Sequence, residues 1–156
     1  MGVFDKSICD CCVCPMQCVL EQLKGERIRI GFLSNQGSFS FSNPTNVNRV
    51  ENFILFTDSD DYAIHTIDFI ILDFVPDPQI QLKPIKNSLG ECACIEGPMT
   101  NLLESRINQT VRINRSIEVN IVKVGQGIVS VKDIVASADN FPFGLFSTCS
   151  ISQIRI

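Results

Sequence analysis

The stretch "CDCCVCPMQCVLEQLKGERIRI" at residues 9–30 returns 83 residues later, without a gap, as "CACIEGPMTNLLESRINQTVRI" at residues 92–113. Eight of the 22 aligned positions carry the same residue. The identical pairs are Cys9/Cys92, Cys11/Cys94, Pro15/Pro98, Met16/Met99, Leu20/Leu103, Glu21/Glu104, Arg29/Arg112 and Ile30/Ile113. This match indicates an internal duplication, so we expect the chain to contain two copies of one structural unit.

The segment between the two copies has the composition of a linker. "VPDPQIQLKPIKNSLGE" contains three prolines, which disfavour helices and inner strands. We therefore predict a first unit over residues 1–78, a linker over 79–85 and a second unit over 86–156. Units below roughly 80 residues have marginal cores, so we expect them to need staples or packing against each other.

Composition limits the classes of function. Hydrophobic residues make up 45% of the 156 residues, and the mean hydropathy is +0.20, which indicates a folded protein. The net charge of −4 and the scattered basic residues argue against a nucleic-acid partner. The sequence has no apolar run long enough to cross a membrane and no secretory signal at its start, so we expect synthesis in a cytoplasm and no membrane partner.

Each unit begins with a predicted helix. Pro15 and Pro98 fit the first helical position, while Gly25 and Asn108 can adopt the left-handed conformation that ends a helix. Alternating and β-branched segments then predict strands, with a glycine turn at 125–127. The predicted strands are 27–33, 38–42, 51–57, 63–67 and 69–74 in the first unit, and 110–114, 117–124, 128–135 and a final pair within 145–156 in the second.

A short helix followed by about five short strands is typical of a small closed β-barrel. The order of elements in "NLLESRINQTVRIN…VKVGQGIVSVKDIV…STCSISQIRI" resembles that of Sm-like and SH3-like barrels. This resemblance predicts a mainly β fold of two tandem small β-barrels, each preceded by a short α-helix. A plain antiparallel sandwich is the competing fold. Specific Sm RNA-binding residues are not evident, so an Sm-like nucleic-acid-binding protein ranks third among the functions.

The cysteine cluster near the start of the chain could serve as a metal site or as a redox centre. Cys9, Cys11, Cys14 and Cys18 supply enough thiolates for a zinc site, which keeps a metal-binding or thiol-buffering protein as the alternative function. The pair Cys11-x-x-Cys14 at a helix start is also the spacing of a redox centre. The βαβ context of that centre is missing, however, and the duplicate has Gly97 in place of Cys14.

Disulfide cross-linking is the interpretation we favour. Cys9, Cys11, Cys12 and Cys14 precede the first regular element, where thiols can reach neighbouring chains. Cys149 is expected to pair with Cys92 or Cys94, with Cα atoms within about 7 Å. Cys18 is alternatively a small core residue on the helix.

A family resemblance supports this interpretation. "FDKSICDCCVCPMQCVLEQL", "LKPIKNSLGECACIEGPMTNLLESRINQTV" and "STCSISQI" together resemble Cys-rich spore coat and exosporium proteins of endospore-forming bacteria. The resemblance implies a structural protein that is made in the mother-cell cytoplasm, exposed to oxidant later, and located at the spore surface. Its implied partners are further copies of itself and other spore-surface proteins. The chain departs from the fuller pattern at Ile95, which replaces a second adjacent cysteine.

The remaining polar motifs predict no enzyme. A single histidine, His65, lies in a strand pattern and cannot complete a triad with any serine or cysteine, so we expect neither catalysis nor a cofactor. The carboxylates of Asp58, Asp60 and Asp61 suit a solvated hairpin turn better than a calcium loop, because the glycine and final glutamate of that loop are missing.

Two strand patterns lack the features that protect sheet edges. Residues 38–42 ("SFSFS") place Phe39 and Phe41 on one face, and neither this segment nor "IVSV" at 128–131 carries a charge or proline. If these segments form edges, they favour the joining of subunits. We therefore predict ordered multimers that form through strand edges and the Phe-rich surface of the first unit.

Overall fold

The computed structural model describes residues 13–72, 79–82, 85 and 91–156, with side chains from Pro15 in the first helix and from Pro98 in the second. The described chain is mainly β, with two short α-helices and two short 3₁₀ helices. The helices are α1 (Val13–Gln22) and α2 (Glu91–Glu104), and the 3₁₀ helices are Ile64–Thr66 and Thr148–Ser150.

Eleven strands follow the helices in two groups. The first half contains β1 (Arg27–Leu33), β2 (Phe39–Phe41), β3 (Thr45–Glu51), β4 (Ile54–Thr57), β5 (Asp61–Ala63) and β6 (Phe69–Ile71). The second half contains β7 (Thr110–Ile113), β8 (Ile117–Gly125), β9 (Ile128–Ala136), β10 (Asp139–Ser147) and β11 (Ile154–Arg155).

All strand pairs are antiparallel and belong to one sheet, in the order β11-β7-β8-β9-β10-β6-β1-β3-β4-β5, with β2 added beside β1. The sheet does not close into a barrel. The predicted mainly β class is confirmed, whereas two separate closed barrels are not, because β10 of the second half pairs with β6 of the first. The order of five strands is nevertheless the same in both halves, β6-β1-β3-β4-β5 in the first and β11-β7-β8-β9-β10 in the second. In each half the last strand lies beside the first.

Three local predictions are wrong. Residues 63–67 form the end of β5 and a 3₁₀ helix, where a continuous strand was expected. β3 was not predicted, because its asparagines and charged residues have low strand propensity and its pairing with β1 and β4 overrides that propensity. Pro98 lies inside α2, which begins seven residues earlier at Glu91, so the proline does not mark the helix start.

The predicted left-handed residues after the helices are confirmed, and they reveal a repeated bonding pattern. Gly25 has φ 86° and Asn108 has φ 67°. The Gly25 N–H donates to Val47 O (2.7 Å), and the Asn108 N–H donates to Ile121 O (2.8 Å). In each half the same strand residue also donates to the carbonyl of the next residue along: Val47 N–H donates to Glu26 O, and Ile121 N–H donates to Gln109 O. The duplication is therefore present in the backbone as well as in the sequence.

Two hydrophobic clusters form the interior, and strands β6 and β10 contribute to both. The first cluster contains the buried face of α1 together with Ile70 of β6 and Leu145 of β10. The second contains Phe69 of β6 and Phe146 of β10 among the β-branched residues of β7–β9. Because neighbouring residues of a strand point to opposite faces, the pairing of β6 with β10 lets each half complete the core of the other.

Part of the predicted linker packs on both halves. Ile80 is buried and belongs to the first hydrophobic cluster. The Gln22 side chain exchanges hydrogen bonds with the main chain of Gln81, both at 2.8 Å. Lys123 Nζ, from β8, donates to Ile80 O at 2.8 Å. Residues 79–82 thus connect α1 to the second half without forming helix or strand.

Gly144→Ala should destabilise the fold. A Cβ at position 144 would lie 2.6 Å from Ile134 Cδ1 and 2.9 Å from Ile70 O, and the latter is main chain of the paired strand. We expect a loss of about 1–3 kcal/mol in the free energy of unfolding, the usual cost of overpacking. Urea denaturation measures it, with the exposed Ser40→Ala as a control that changes stability by less than about 0.5 kcal/mol. Equal stability of the two variants would contradict the close approach of β6 and β10.

Candidate functional site: sheet junction, open edges and cysteines

The junction between the halves is a short antiparallel ladder. Phe69, Ile70 and Ile71 of β6 lie opposite Phe146, Leu145 and Gly144 of β10. Main-chain bonds extend the ladder at both ends, from Ser147 N–H to Asp68 O and from Leu72 N–H to Phe143 O, each 2.9 Å. The two halves therefore join by strand pairing and not by side-chain contact alone.

Aromatic side chains reinforce this junction. Phe69 and Phe146 stack with centroids 4.8 Å apart and planes 15° from parallel. Phe41 of β2 meets the edge of Phe141 of β10 at 5.4 Å, which ties the β1–β2 hairpin to the second half. Gly31 makes room for the Phe69 ring, because a Cβ there would overlap ring carbons. Phe39 and Phe41 share one half-buried face while Ser40 is exposed, as the alternation predicted, and they pack against the second cluster.

A polar cluster links the halves beside the aromatic rings. Asp68 Oδ2 accepts the Leu33 N–H at 2.6 Å, and Asp68 Oδ1 accepts the Ser150 hydroxyl at 2.6 Å. Asn114, which is fully buried, donates through Nδ2 to Ser34 O and Ser150 O, both at 3.1 Å. Asn114 Oδ1 accepts the main-chain N–H groups of Ser152 (2.8 Å) and Gln153 (3.3 Å). Buried groups bonded in this way fix the second 3₁₀ helix against the β1–β2 hairpin.

Sequence reasoning did not identify Asn114 or Asp68. Asn114 lies at the β7–β8 turn with φ 46°, a conformation that asparagine tolerates better than most residues. The turn was predictable, but the side-chain partners are not, because they lie 36 to 80 residues away in the sequence.

The ends of the sheet are β5 and β11. On β5, residues 60 and 64 bond towards β4, since Asp60 O accepts the Thr57 N–H and the Ile64 N–H donates to Phe53 O. The main chain of Asp61 and the N–H of Ala63 consequently point away from β4. Ser59 lies in the β4–β5 turn, where its N–H donates to Thr57 Oγ1, and Ala63 O accepts the Thr66 hydroxyl. On β11, Gln153 O accepts the Asn114 N–H from the β7 side, so the main chain of Ile154 and Ile156 and the carbonyl of Ser152 point outward, while the Ser152 N–H donates to Asn114 Oδ1.

The strand "IVSV" at 128–131 is not an edge, because it belongs to β9 between β8 and β10. β2, by contrast, pairs only with β1 among the described strands. Its phenylalanines already pack within the chain, which leaves less of the predicted Phe-rich surface for other subunits.

The acidic turn at 57–62 holds one well-bonded carboxylate. Asp58 accepts Asn46 Nδ2 at 2.6 Å and Asn48 Nδ2 at 2.8 Å, one on each oxygen. These bonds, that from Asn48 first, lower the pKa of Asp58 from its ordinary value, with a smaller contribution from Arg27. The carboxylate thus joins the turn to β3, as a hairpin residue does. Asp60 and Asp61 are exposed, and His65 lies exposed in the first 3₁₀ helix, not in a strand.

The predicted thiols fall into three groups. Cys9, Cys11 and Cys12 lie outside the described residues, and the side chains of Cys14 in α1 and of Cys92 and Cys94 in α2 are not described. Cys18 is a buried, reduced thiol whose sulfur receives Gln22 Nε2 at 3.6 Å, in agreement with a core position. Cys149 lies in the second 3₁₀ helix and is disulfide-bonded.

The described side chains contain no group of three histidine, cysteine, aspartate or glutamate residues that could hold a metal ion. Most of the proposed zinc ligands lie outside that set, so the site of Cys9, Cys11, Cys14 and Cys18 stays an alternative. Within the described part of the chain, neither helix has the length and apolar character needed to span a bilayer.

Comparison with known proteins gives no relative: no protein-family model, no curated protein and no solved structure matches the chain.

We predict that Cys149 bonds to Cys92 or Cys94. The second 3₁₀ helix packs against α2, which carries both cysteines, and that contact limits the distance a bridge has to span. Proteolysis without reductant, followed by mass spectrometry, should yield a linked peptide that contains Cys149 and residues 91–97. A linked peptide that joins Cys149 to the cluster at residues 9–14 would contradict this pairing.

Proposed function

We propose that the protein is a non-enzymatic structural subunit that assembles with copies of itself into a spore-surface layer, crystal or fibre and is cross-linked by cysteines. The observation that carries the proposal is an open antiparallel sheet whose two end strands have outward main-chain groups. Uncovered strand edges promote pairing with other chains. A sheet with one such strand at each end can join a neighbour on both sides.

The fold also supports a modular subunit. We propose that each half is a small-barrel module of the Sm-like or SH3-like kind, opened at the side where it joins its neighbour. The shared strand path and the repeated Gly25 and Asn108 bonding are the support for this reading. The modules share their cores at the β6–β10 ladder, which is the packing that units of this size need.

The cysteines supply the permanent part of the proposed assembly. Cys9, Cys11, Cys12 and Cys14 precede or begin α1, and a cluster in that place is available for bonds to other subunits. Docking through strand edges is reversible, whereas disulfides formed after docking last until a reductant is present. This combination suits a coat or exosporium protein that is made in a reducing cytoplasm and exposed to oxidant later.

Replacement of Cys9, Cys11, Cys12 and Cys14 by serine tests the cross-linking role. The variant should keep its far-ultraviolet circular dichroism, because the two hydrophobic clusters of the described residues supply the core. Its oxidised assemblies should fall to monomers in denaturant without reductant, while wild-type assemblies remain large on a non-reducing gel. Cys149→Ser is the matched control and should leave the links between chains in place.

Two results would contradict the proposal. Oxidised wild-type protein that stays monomeric at high concentration by light scattering would exclude a structural subunit of this kind. Stoichiometric zinc in freshly reduced protein, lost in the fourfold serine variant, would favour the metal-binding or thiol-buffering alternative.

A further inference from the structure

The last strands of the two halves are equivalent residue by residue. The 3₁₀ helices Ile64–Thr66 and Thr148–Ser150 are offset by 84 residues, and each is capped by an isoleucine, Ile67 or Ile151. Ile154 lies 84 residues after Ile70, and Ile113 lies 83 residues after Ile30, the offset of the duplicated stretch, so the pairing of Ile70 with Ile30 in the first half matches that of Ile154 with Ile113 in the second. β11 is therefore the counterpart of β6, and β5 is the counterpart of β10.

The counterparts of the two strands that form the internal junction do not pair with each other in the chain. Inside the chain, the strand before the second 3₁₀ helix, β10, pairs with the last strand of the first half, β6. The corresponding strands β5 and β11 lie at the two ends of the sheet that the described strands form. We propose that β5 of one copy pairs with β11 of the next, so that successive chains repeat the internal junction head to tail. The inference rests on the proposed self-assembly and specifies its interface.

The internal register dictates the register between chains. Asp61 would lie opposite Ile154, as Leu145 lies opposite Ile70, and Tyr62 opposite Gln153, as Phe146 lies opposite Phe69. The outward groups also match. The internal bonds use the main chain of residues 143 and 147 on β10 and of residues 68 and 72 on β6. Three of the counterparts, the Ala63 N–H, the Ser152 carbonyl and the Ile156 N–H, point outward in the same way, while Ser59, the counterpart of Phe143, lies in the β4–β5 turn.

Burial supports the same pairing. Leu72, at the end of the internal ladder, is 1% exposed, whereas its counterpart Ile156 is 75% exposed. Ile70 is 0% exposed, whereas Ile154 is only partly buried. The second half thus presents to solvent two apolar residues whose counterparts in the first half are covered by β10. A β5 strand from another copy would cover them in the same way.

Charge complementarity adds a feature that the internal junction lacks. The register places Asp60 opposite Arg155, and both side chains are exposed in the single chain. Directly opposed residues of an antiparallel pair share one face, where opposite charges attract and like charges repel. The internal Phe69–Phe146 stack has no aromatic counterpart, because Gln153 would face Tyr62. The contact between chains should consequently be weaker than the internal one and sensitive to salt.

Such a contact is heterologous, since it joins two different surfaces. Repetition closes a ring when the rotation between chains divides a full turn and builds a filament when it does not. A ring and a filament both agree with the proposal, because in each of them every β5 pairs with one β11 of a neighbouring copy.

A charge exchange at the edges tests the interface. Sedimentation velocity is measured under reductant, so that only non-covalent contacts contribute. Asp60→Arg and Arg155→Asp should each weaken association about tenfold, because a like-charge pair replaces an attractive one, and the double variant should recover most of the loss. Asp139→Arg, an exposed charge on β10 away from both edges, is the matched control and should associate like wild type.

A main-chain block provides an independent check. Asp61→Pro removes an N–H that points outward from β5, and edge strands tolerate proline at such positions. This variant should keep its circular dichroism spectrum and lose association. Association that is unchanged in Asp61→Pro and in both charge variants would overturn the edge pairing while leaving self-assembly intact. A wild-type protein that is monomeric both with and without oxidant would instead overturn the proposed function itself.

Discussion

The antiparallel pairing of β6 with β10 is the interaction on which the rest of the structure depends. It joins two duplicated halves into one sheet and brings Phe69 against Phe146, an aromatic pair that contributes about 0.5–1.5 kcal/mol beyond its buried area. Without it, each half would expose residues that now belong to the core of the other. The close approach of β10 to β6 requires glycine at position 144, since a Cβ there would lie 2.9 Å from Ile70 O, and Gly31 of β1 leaves room for the Phe69 ring.

The same pairing explains why β5 and β11 lie at the two ends of the described sheet. Each half has an edge strand on both sides: β6 and β5 in the first half, β10 and β11 in the second. The internal junction uses β6 and β10, so β5 and β11 remain at the ends of the sheet. These remaining strands are the counterparts of the pair that already interacts, and we infer that they suit each other for that reason. The cysteine cluster at residues 9–14 would then make a reversible arrangement permanent under oxidising conditions.

The sequence predicted the mainly β class, the two helices and most strands because apolar periodicity and turn residues are local signals. Gly25 and Asn108 were predictable for the same reason, since a left-handed residue after a helix depends on its own side chain. The joining of the halves was not predictable, because the β10 partners of β6 lie more than 70 residues away and nothing in "FII" distinguishes β10 from a strand of its own half. β3 was missed because tertiary pairing stabilises a segment with weak intrinsic preference.

The site was predicted less completely than the fold. The position of Cys18 as a core residue followed from its helical neighbours, and the acidic turn followed from its composition. The roles of Asp68 and Asn114 depend on contacts across the junction, which a single sequence does not reveal. The ends of the sheet are β5 and β11, whereas we expected the uncharged segments 38–42 and 128–131 to form edges. Which strand lies at an edge depends on the topology of the sheet and not on local composition.

Amide hydrogen exchange with residue resolution distinguishes the pairing of β5 with β11 from other modes of assembly. The protein is compared under reductant at a concentration where it is monomeric and at one where it is assembled. The edge pairing predicts that the N–H groups of Asp61, Ala63, Ile154 and Ile156 become protected on assembly, while those of Ile70 and Leu145 are protected in both states. Unchanged exchange at the four edge amides, with new protection elsewhere on the surface, would contradict it.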